Sequence, residues 1–391
     1  MKNRDLNEKS IVAVVTCNSY DSENVYRAMK AGINALGGIR KFVDINEKIL
    51  VKPNFLAAAP VEKAATTHPA VIESMFRVLK EEEYKNVSYG DSPGHGTCDS
   101  VAKKGDIHLI AERYGIPQAD METPVKTSFP EGLTAKQFEF SKGIVETDAV
   151  ISLCKMKTHA LERITGGVKN VYGFIAGLNK AKGHVSYPNA NAFARMLSDI
   201  HRCVDVRLSI MDGIVAMEGN GPASGDPVPM NVMIFSDDPV AMDTVFCDLV
   251  NLDPSLVPTN VQGHAMGIGN FEEDKIEVRL IDGDKENYKV ISFKELQEKL
   301  GNLSFDVDRE GVRKSLLTEA TKLFTKLGKR PTINKALCIK CGICVDHCPV
   351  EGKAINFKNG REKPPVYNYR KCIRCYCCQE MCPQHAIEVK K

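Results

Sequence analysis

Eight of the chain's fourteen cysteines fall into two short runs. The first is Cys338-x2-Cys341-x2-Cys344-x3-Cys348-Pro349, and the second is Cys372-x2-Cys375-x2-Cys378-x3-Cys382-Pro383. This spacing suits a [4Fe–4S] cubane. A cubane offers one iron corner to each thiolate, so a short loop must turn three sulfurs towards one point. A structural zinc ion needs only four ligands in a tetrahedral site, whereas two complete runs of four stand here. Fourteen cysteines, eight of them in these runs, fit a reducing compartment better than a disulfide scaffold.

The two runs are an internal repeat. Each motif cysteine of the second lies 34 positions after its partner in the first, and each Cys-Pro is followed by an Ala-Ile pair, Ala354-Ile355 and Ala386-Ile387. About the last 60 residues therefore resemble the pseudo-twofold bacterial ferredoxin domain. In that arrangement the fourth cysteine of each run serves the other cluster. Cys338, Cys341, Cys344 and Cys382 are assigned to one cluster, and Cys372, Cys375, Cys378 and Cys348 to the second. Cys377 is surplus, as a small buried hydrophobe or a neighbour of the cluster. Lys335, Lys340, Arg370, Lys371 and Arg374 flank the runs and are available to bias a potential or steer an acidic partner.

A second set of residues with chemical potential lies upstream. Lys155, Lys157 and His159 alternate just past the apolar stretch Ala149–Leu153, so in an extended chain all three project to one side. Two ammonium groups and an imidazole together suit a carboxylate or phosphate. Crowding would also depress a lysine and fit it for base catalysis. The bland reading is a solvated strand end. Gly90, Asp91, Ser92, Gly94, His95, Gly96 and Thr97 form a glycine-rich turn, which is either an anion or cofactor nest or a plain strand-to-helix connection. It lacks the endings of a Walker loop and of a dinucleotide fingerprint. Gly167, Lys169 and Asn170 offer close backbone approach, a charge and an orienting amide, or else simply helix packing. Asp91, Asp212 and Asp243 are candidate acids or bases, though a lone Asp after a strand is commonly a cap. His68 and His95 are candidates for ligand contact. His108, His184, His201 and His264 read as structural. No serine-hydrolase elbow or zincin motif is present.

The elements that must position these residues follow from periodicity. Apolar runs at 11–16, 48–52, 87–89, 149–153, 206–211, 231–235 and 278–281 predict strands. Between them, helical spacing predicts helices after Asp21 or Ser22, after Thr67-His68-Pro69 with Thr67 as the cap, over 192–202 and over 239–250, and 278–281 reads as the last edge strand. This alternation predicts an α/β fold: a mostly parallel sheet flanked by helices over 1–290, a helical linker at 291–330, and a small α+β ferredoxin-like two-cluster domain at 331–391. In such a sheet, ligands bind beyond the carboxyl ends of the strands, and the polar and glycine-rich segments follow strands. The near-neutral net charge of +2 gives no footprint for nucleic acid or an anionic membrane. No apolar run is long enough to span a bilayer. A cytoplasmic location and an anaerobic or microaerobic setting are expected.

Val51-Lys52-Pro53-Asn54, Thr66-Thr67-His68-Pro69, Gly90-Asp91-Ser92-Pro93-Gly94, Lys155–His159 and Gly167–Gly173 together resemble the domain-of-unknown-function 362 family over roughly residues 45–250. The resemblance implies an iron–sulfur centre protein with an α/β domain often joined to a ferredoxin module, and it implies no substrate. The expected cofactors are two [4Fe–4S] clusters, with room for a small organic cofactor. The expected partners are a redox protein or electron carrier and a small anionic ligand. The alternatives are a non-catalytic carrier with a docking domain and a protein that delivers clusters or matures a cofactor.

Overall fold

The structure is a computed structural model that describes residues 5–177, 179–283, 285, 287–310, 329–358 and 360–390. The larger body is built on a nine-stranded sheet. Its strands are β1 (Ser10–Thr16), β2 (Ile49–Lys52), β3 (Val87–Tyr89), β6 (Ala149–His159), β7 (Arg163–Thr165), β8 (Val206–Glu218), β9 (Asp226–Ser236), β10 (Ile276–Ile281) and β11 (Lys289–Ile291). A separate hairpin joins β4 (Pro124–Ser128) to β5 (Gln137–Ser141). The order is β11-β10-β1-β9-β8-β6-β2-β3, with β7 folded back on β6. Strands β1, β2, β3, β6, β8 and β10 run one way, and β7, β9 and β11 run the other.

Strand alternation divides the core. In β1, Ala13 and Val15 join a cluster under the helices Ser22–Ala35 and Pro69–Glu81. Val12 and Val14 face the opposite cluster, under the helices Pro239–Leu249 and Phe293–Leu300. Two local expectations change. Thr67 does not cap the second helix; His68 does, its Nδ1 accepting from the Ala70 N–H, while the Thr67 hydroxyl donates to the Leu153 carbonyl at 2.7 Å. Nor does 278–281 end the sheet, because β11 pairs outside it.

Downstream, Phe293, Leu296, Phe305 and Val307 bury into the second core cluster. Of the span read as a helical linker, residues 311–328 lie outside the described residues. The C-terminal module follows, with β12 (Arg330–Ile333) paired to β15 (Ile387–Lys390) and β13 (Ile355–Asn356) paired to β14 (Val366–Tyr367). Its repeat extends to the backbone. Short helices Ile343–Asp346 and Cys377–Glu380 stand 34 residues apart. Positive φ recurs at the matching pairs Lys340 (60°) with Arg374 (58°) and Gly342 (91°) with Tyr376 (62°).

Candidate functional site

Four thiols, those of Cys338, Cys341, Cys344 and Cys382, line one hollow in the C-terminal module together with Ile339, Gly342 and Pro383. This is the set expected from exchange of the fourth cysteine between runs. Cys372 and Cys375 sit within electrostatic reach of one another, as do Cys372 and Cys348, and Cys378 of Cys372 and Cys375. Among the described residues no three His, Cys, Asp or Glu side chains converge as a single metal ion requires. The thiols of Cys338, Cys341, Cys344 and Cys382 surround a space, which suits a cluster with its own iron at each corner. Matched backbone donors reach the exchanged sulfurs: Ala354 N–H to Cys348 Sγ at 3.2 Å and Ala386 N–H to Cys382 Sγ at 3.3 Å. The Tyr367 hydroxyl donates to Cys378 Sγ at 3.2 Å. Such bonds to sulfur tune cluster potentials.

The second half of this module docks on the rim of the sheet. Gln379, fully buried, donates from Nε2 to the carbonyls of Asn220 (2.8 Å) and Gly221 (3.2 Å). Asn220 Nδ2 returns a bond to the Ile387 carbonyl at 3.0 Å. His385 Nδ1 lies 2.7 Å from the Ser224 hydroxyl. Glu380 Oε1 approaches His159 Nε2 at 3.1 Å, outside hydrogen-bond alignment. His347 meets His95 edge to face at 5.4 Å.

Between the halves lies a cavity of about 260 Å³. The sheet contributes Asn54, Phe55, the turn Asp91–Gly96, Lys169, Asn170 and Tyr172, together with Lys180 and His184 from the helix Asn179–Ser186. The module contributes His347, Cys377, Glu380 and Met381. A Cβ on Gly94 would stand 2.8 Å from the Met381 methyl, so that flexible side chain would have to shift.

The residues read from the sequence separate into three groups. Asp91, Ser92, Gly94, His95, Gly96, Lys169 and Asn170 face the cavity. Asp91 pairs with the buried Lys52 at 2.8 Å and accepts from the Phe55 N–H. Burial drives the Lys52 pKa down and Asp91 opposes the shift. Lys52 also donates to Asn170 Oδ1 at 3.2 Å, and Asn170 Nδ2 donates to the Ser152 hydroxyl. Lys169 is half-buried over the Tyr172 ring and has no ion-pair partner among the described residues.

A second group lies beneath the cavity. Lys155, Lys157 and His159 do share one side of β6, continuing the row of Ile151 and Leu153. Each is buried and engaged. Lys155 bonds Asp212 at 2.7 Å and the Tyr20 hydroxyl at 2.9 Å. Lys157 bonds Asn54 Oδ1 and the Ala65 carbonyl, both at 2.7 Å. His159 Nδ1 accepts from the Leu161 and Glu162 N–H groups. Burial lowers all three pKa values, that of His159 to about 4, with Lys169 adding to the fall of Lys157 and His159.

Gly90, Thr97 and Gly167 form a third group, serving the backbone. A Cβ on Gly90 would strike Met121, Thr97 and Ser100 form a capping box for the helix Cys98–Lys104, and the Gly167 N–H donates to Asp243 at 2.6 Å. The Cys98 amide is taken by Glu122, so that helix start is already provided for.

Lys52, Asn54, Lys180 and Glu380 were not singled out from sequence as a group, and His184, read as structural, lines the cavity. The i, i+4 spacing of Lys180 and His184 was the available signal.

Residues 49–248 match a domain of unknown function, DUF362, and residues 330–383 match a 4Fe-4S dicluster domain. The chain belongs to the DUF362 family. This DUF362 chain is 31% identical over 258 residues to a thylakoid-associated protein, sll1697, of Synechocystis sp., covering 66% of this chain and 79% of the relative. Among solved structures it is similar to the lactate racemase apoprotein of Thermoanaerobacterium thermosaccharolyticum, with a TM-score of 0.42 and 14% identity over 64% of this chain and 59% of that one. It is also similar to a Thermotoga maritima protein, with a TM-score of 0.33 and 15% identity over 52% of this chain and 53% of that one. No helix among the described residues of this DUF362 chain is long and apolar enough to cross a membrane.

Proposed function

We propose that this protein passes single electrons through two [4Fe–4S] clusters to or from a small anionic ligand held in the cavity between its halves. The observation that carries the reading is the shared wall: Lys169 and the Asp91–Gly96 turn face Cys377 and Glu380, neighbours of the ligand set Cys372, Cys375, Cys378 and Cys348, across one space. When bound, the clusters supply one-electron chemistry at low potential.

The protein's own residues do the rest. Lys169, a cavity-lining cation with no carboxylate partner among the described residues, attracts the anion. Lys52, Asp91, Asn54 and Asn170 hold one another in a closed network and fix the floor. Gln379 and Asn220 lock the second run against the rim, so the distance between cluster and ligand is constant. A non-catalytic docking domain would need no such cavity. A redox protein partner, a cytoplasmic location and an oxygen-poor setting complete the proposal, since exposed low-potential clusters react with oxygen.

Anaerobic preparations should hold about eight irons per chain. Cys382→Ser should lose iron, whereas Cys377→Ser should keep it. Small carboxylates and phosphates, screened by calorimetry, should include one that binds the wild type and weakens with Lys169→Ala. Far fewer irons, or binding indifferent to Lys169, would overturn the proposal.

A further inference from the structure

Lys180 and His184 sit one turn apart on the helix Asn179–Ser186, and both line the cavity. Neither is accounted for by anion binding alone. Lys180 Nζ donates to the Ser92 carbonyl and, at 3.1 Å, to the Pro93 carbonyl, and it has no carboxylate partner among the described residues. Two carbonyls take two N–H donors of an amine and leave its lone pair uncommitted once the third proton is gone. His184 is 5% exposed, stacked on Phe193 at 4.6 Å, and its Nδ1 has no hydrogen-bond partner among the described residues. An orphaned buried nitrogen beside a cavity points to a group that arrives from outside.

We infer that Lys180 is a nucleophile for the carbonyl of a small oxo acid, with Lys169 holding the acid's carboxylate and His184 moving the proton. The inference rests on the proposed reading of the cavity as a ligand site and names its substrate class. The amine nitrogen attacks the carbonyl carbon, and the carbinolamine loses water. A C=N bond to Lys180 replaces the C=O, and the oxygen leaves with the two amine protons. No electron is exchanged in this step. His184 accepts a proton from the attacking nitrogen and returns it to the departing hydroxyl. Burial pushes the Lys180 pKa down to about 7, with Lys52 and Lys169 adding to the fall and Asp91 opposing it. A desolvated lysine beside other cations is a recognised route to imine formation at neutral pH. Burial also lowers His184, to about 4, leaving a neutral imidazole able to accept.

The test is reductive trapping on the full chain, prepared anaerobically. Pyruvate and cyanoborohydride are added, and intact mass and peptide mapping are read. One reduced pyruvate adduct on Lys180 is expected. It should be absent in Lys180→Arg, which keeps the charge and cannot form an imine. His184→Ala should slow its formation. Lys169→Ala should raise the pyruvate needed by about tenfold, the worth of one charge-assisted contact. No adduct with pyruvate, an adduct mapped to another lysine, or one that persists in Lys180→Arg would overturn the inference. Calorimetric binding that survives in Lys180→Arg would then leave the cavity's role as an anion site standing.

Discussion

Two sets of lysines stand within the same rim, and they do opposite work. Lys155 and Lys52 are fully buried, and each is joined to one carboxylate, Asp212 and Asp91. Lys169 and Lys180 border the cavity and have no carboxylate partner among the described residues. In sequence Lys52 and Lys155 close apolar runs while Lys169 and Lys180 follow glycine-containing segments, and neither setting says which lysine is paired. What separates them is whether the fold places an acid opposite. A lysine with a buried acid is part of the scaffold, because removing either partner strands the other charge. A lysine without one is available to something that comes and goes.

Lys155→Ala should have the largest effect, because it leaves Asp212 buried with only Tyr20 and a backbone N–H. Breaking such a pair costs about 3–5 kcal/mol, read as a lower denaturation midpoint at unchanged slope. If the loss were below about 1 kcal/mol, as for an exposed ion pair, the scaffold assignment would fail. Gly173→Ala attacks the other pair sterically. Its Cβ would stand 1.8 Å from Asp91 Oδ1 and 2.7 Å from Lys52 Nζ, so both must shift. Overpacking of this kind costs about 1–3 kcal/mol. Chemical denaturation measures it, and a neutral result would mean the pair is looser than its 2.8 Å separation implies.

A third expectation concerns pH. Glu162 is fully buried, neither carboxylate oxygen has a hydrogen-bond partner among the described residues, and burial pushes its pKa up to about 8, with Lys169 opposing. The folded protein therefore holds this proton more tightly than the unfolded chain. Its contribution is complete below the unfolded value of 4.5 and disappears as pH rises through about 8. His159 and His184, lowered to about 4, act in the opposite direction. Their contribution is present above the unfolded value of 6.5 and declines as pH falls towards 4. The difference between wild type and Glu162→Gln isolates the first effect: the variant should lose less stability between pH 5 and 8. Parallel curves would show that Glu162 finds a partner in solution.

The fold was largely legible because its signals are local. Apolar runs, Asp21 as a cap, and Pro69 in a first turn mark elements without reference to distant residues. That Cys338, Cys341, Cys344 and Cys382 line one hollow was anticipated through the resemblance to the two-cluster ferredoxin domain, not from the spacing alone. The site was only half legible. The side-sharing of Lys155, Lys157 and His159 followed from strand alternation, but their engagement did not. Asp212 lies 57 residues from Lys155, and Glu380 lies far beyond His159 in another module. Lys180 and His184 escaped because their helix has a weak apolar stripe, and its place beside the Asp91–Gly96 turn depends on tertiary contacts such as Gly177 N–H to the Ser92 hydroxyl at 3.1 Å.

The sharpest version of the comparison is a change that should scarcely be felt by the fold. The Lys169 ammonium stands over the Tyr172 ring at 5.9 Å and has no ion pair among the described residues, so Lys169→Ala should shift stability by no more than about 0.5 kcal/mol. Its field nevertheless reaches several buried groups, lowering His159 and Lys180 and helping to hold the Glu380 carboxyl below its ordinary value against burial. Removing the charge should therefore raise the Lys180 pKa, which the pH dependence of its modification by an amine-directed reagent reports. A scaffold lysine would give the reverse pattern, with lost stability and unaltered reactivity at Lys180. If Lys169→Ala unfolds the protein as readily as Lys155→Ala, the two sets are one, and the cavity loses its claim to a resident cation reserved for a ligand.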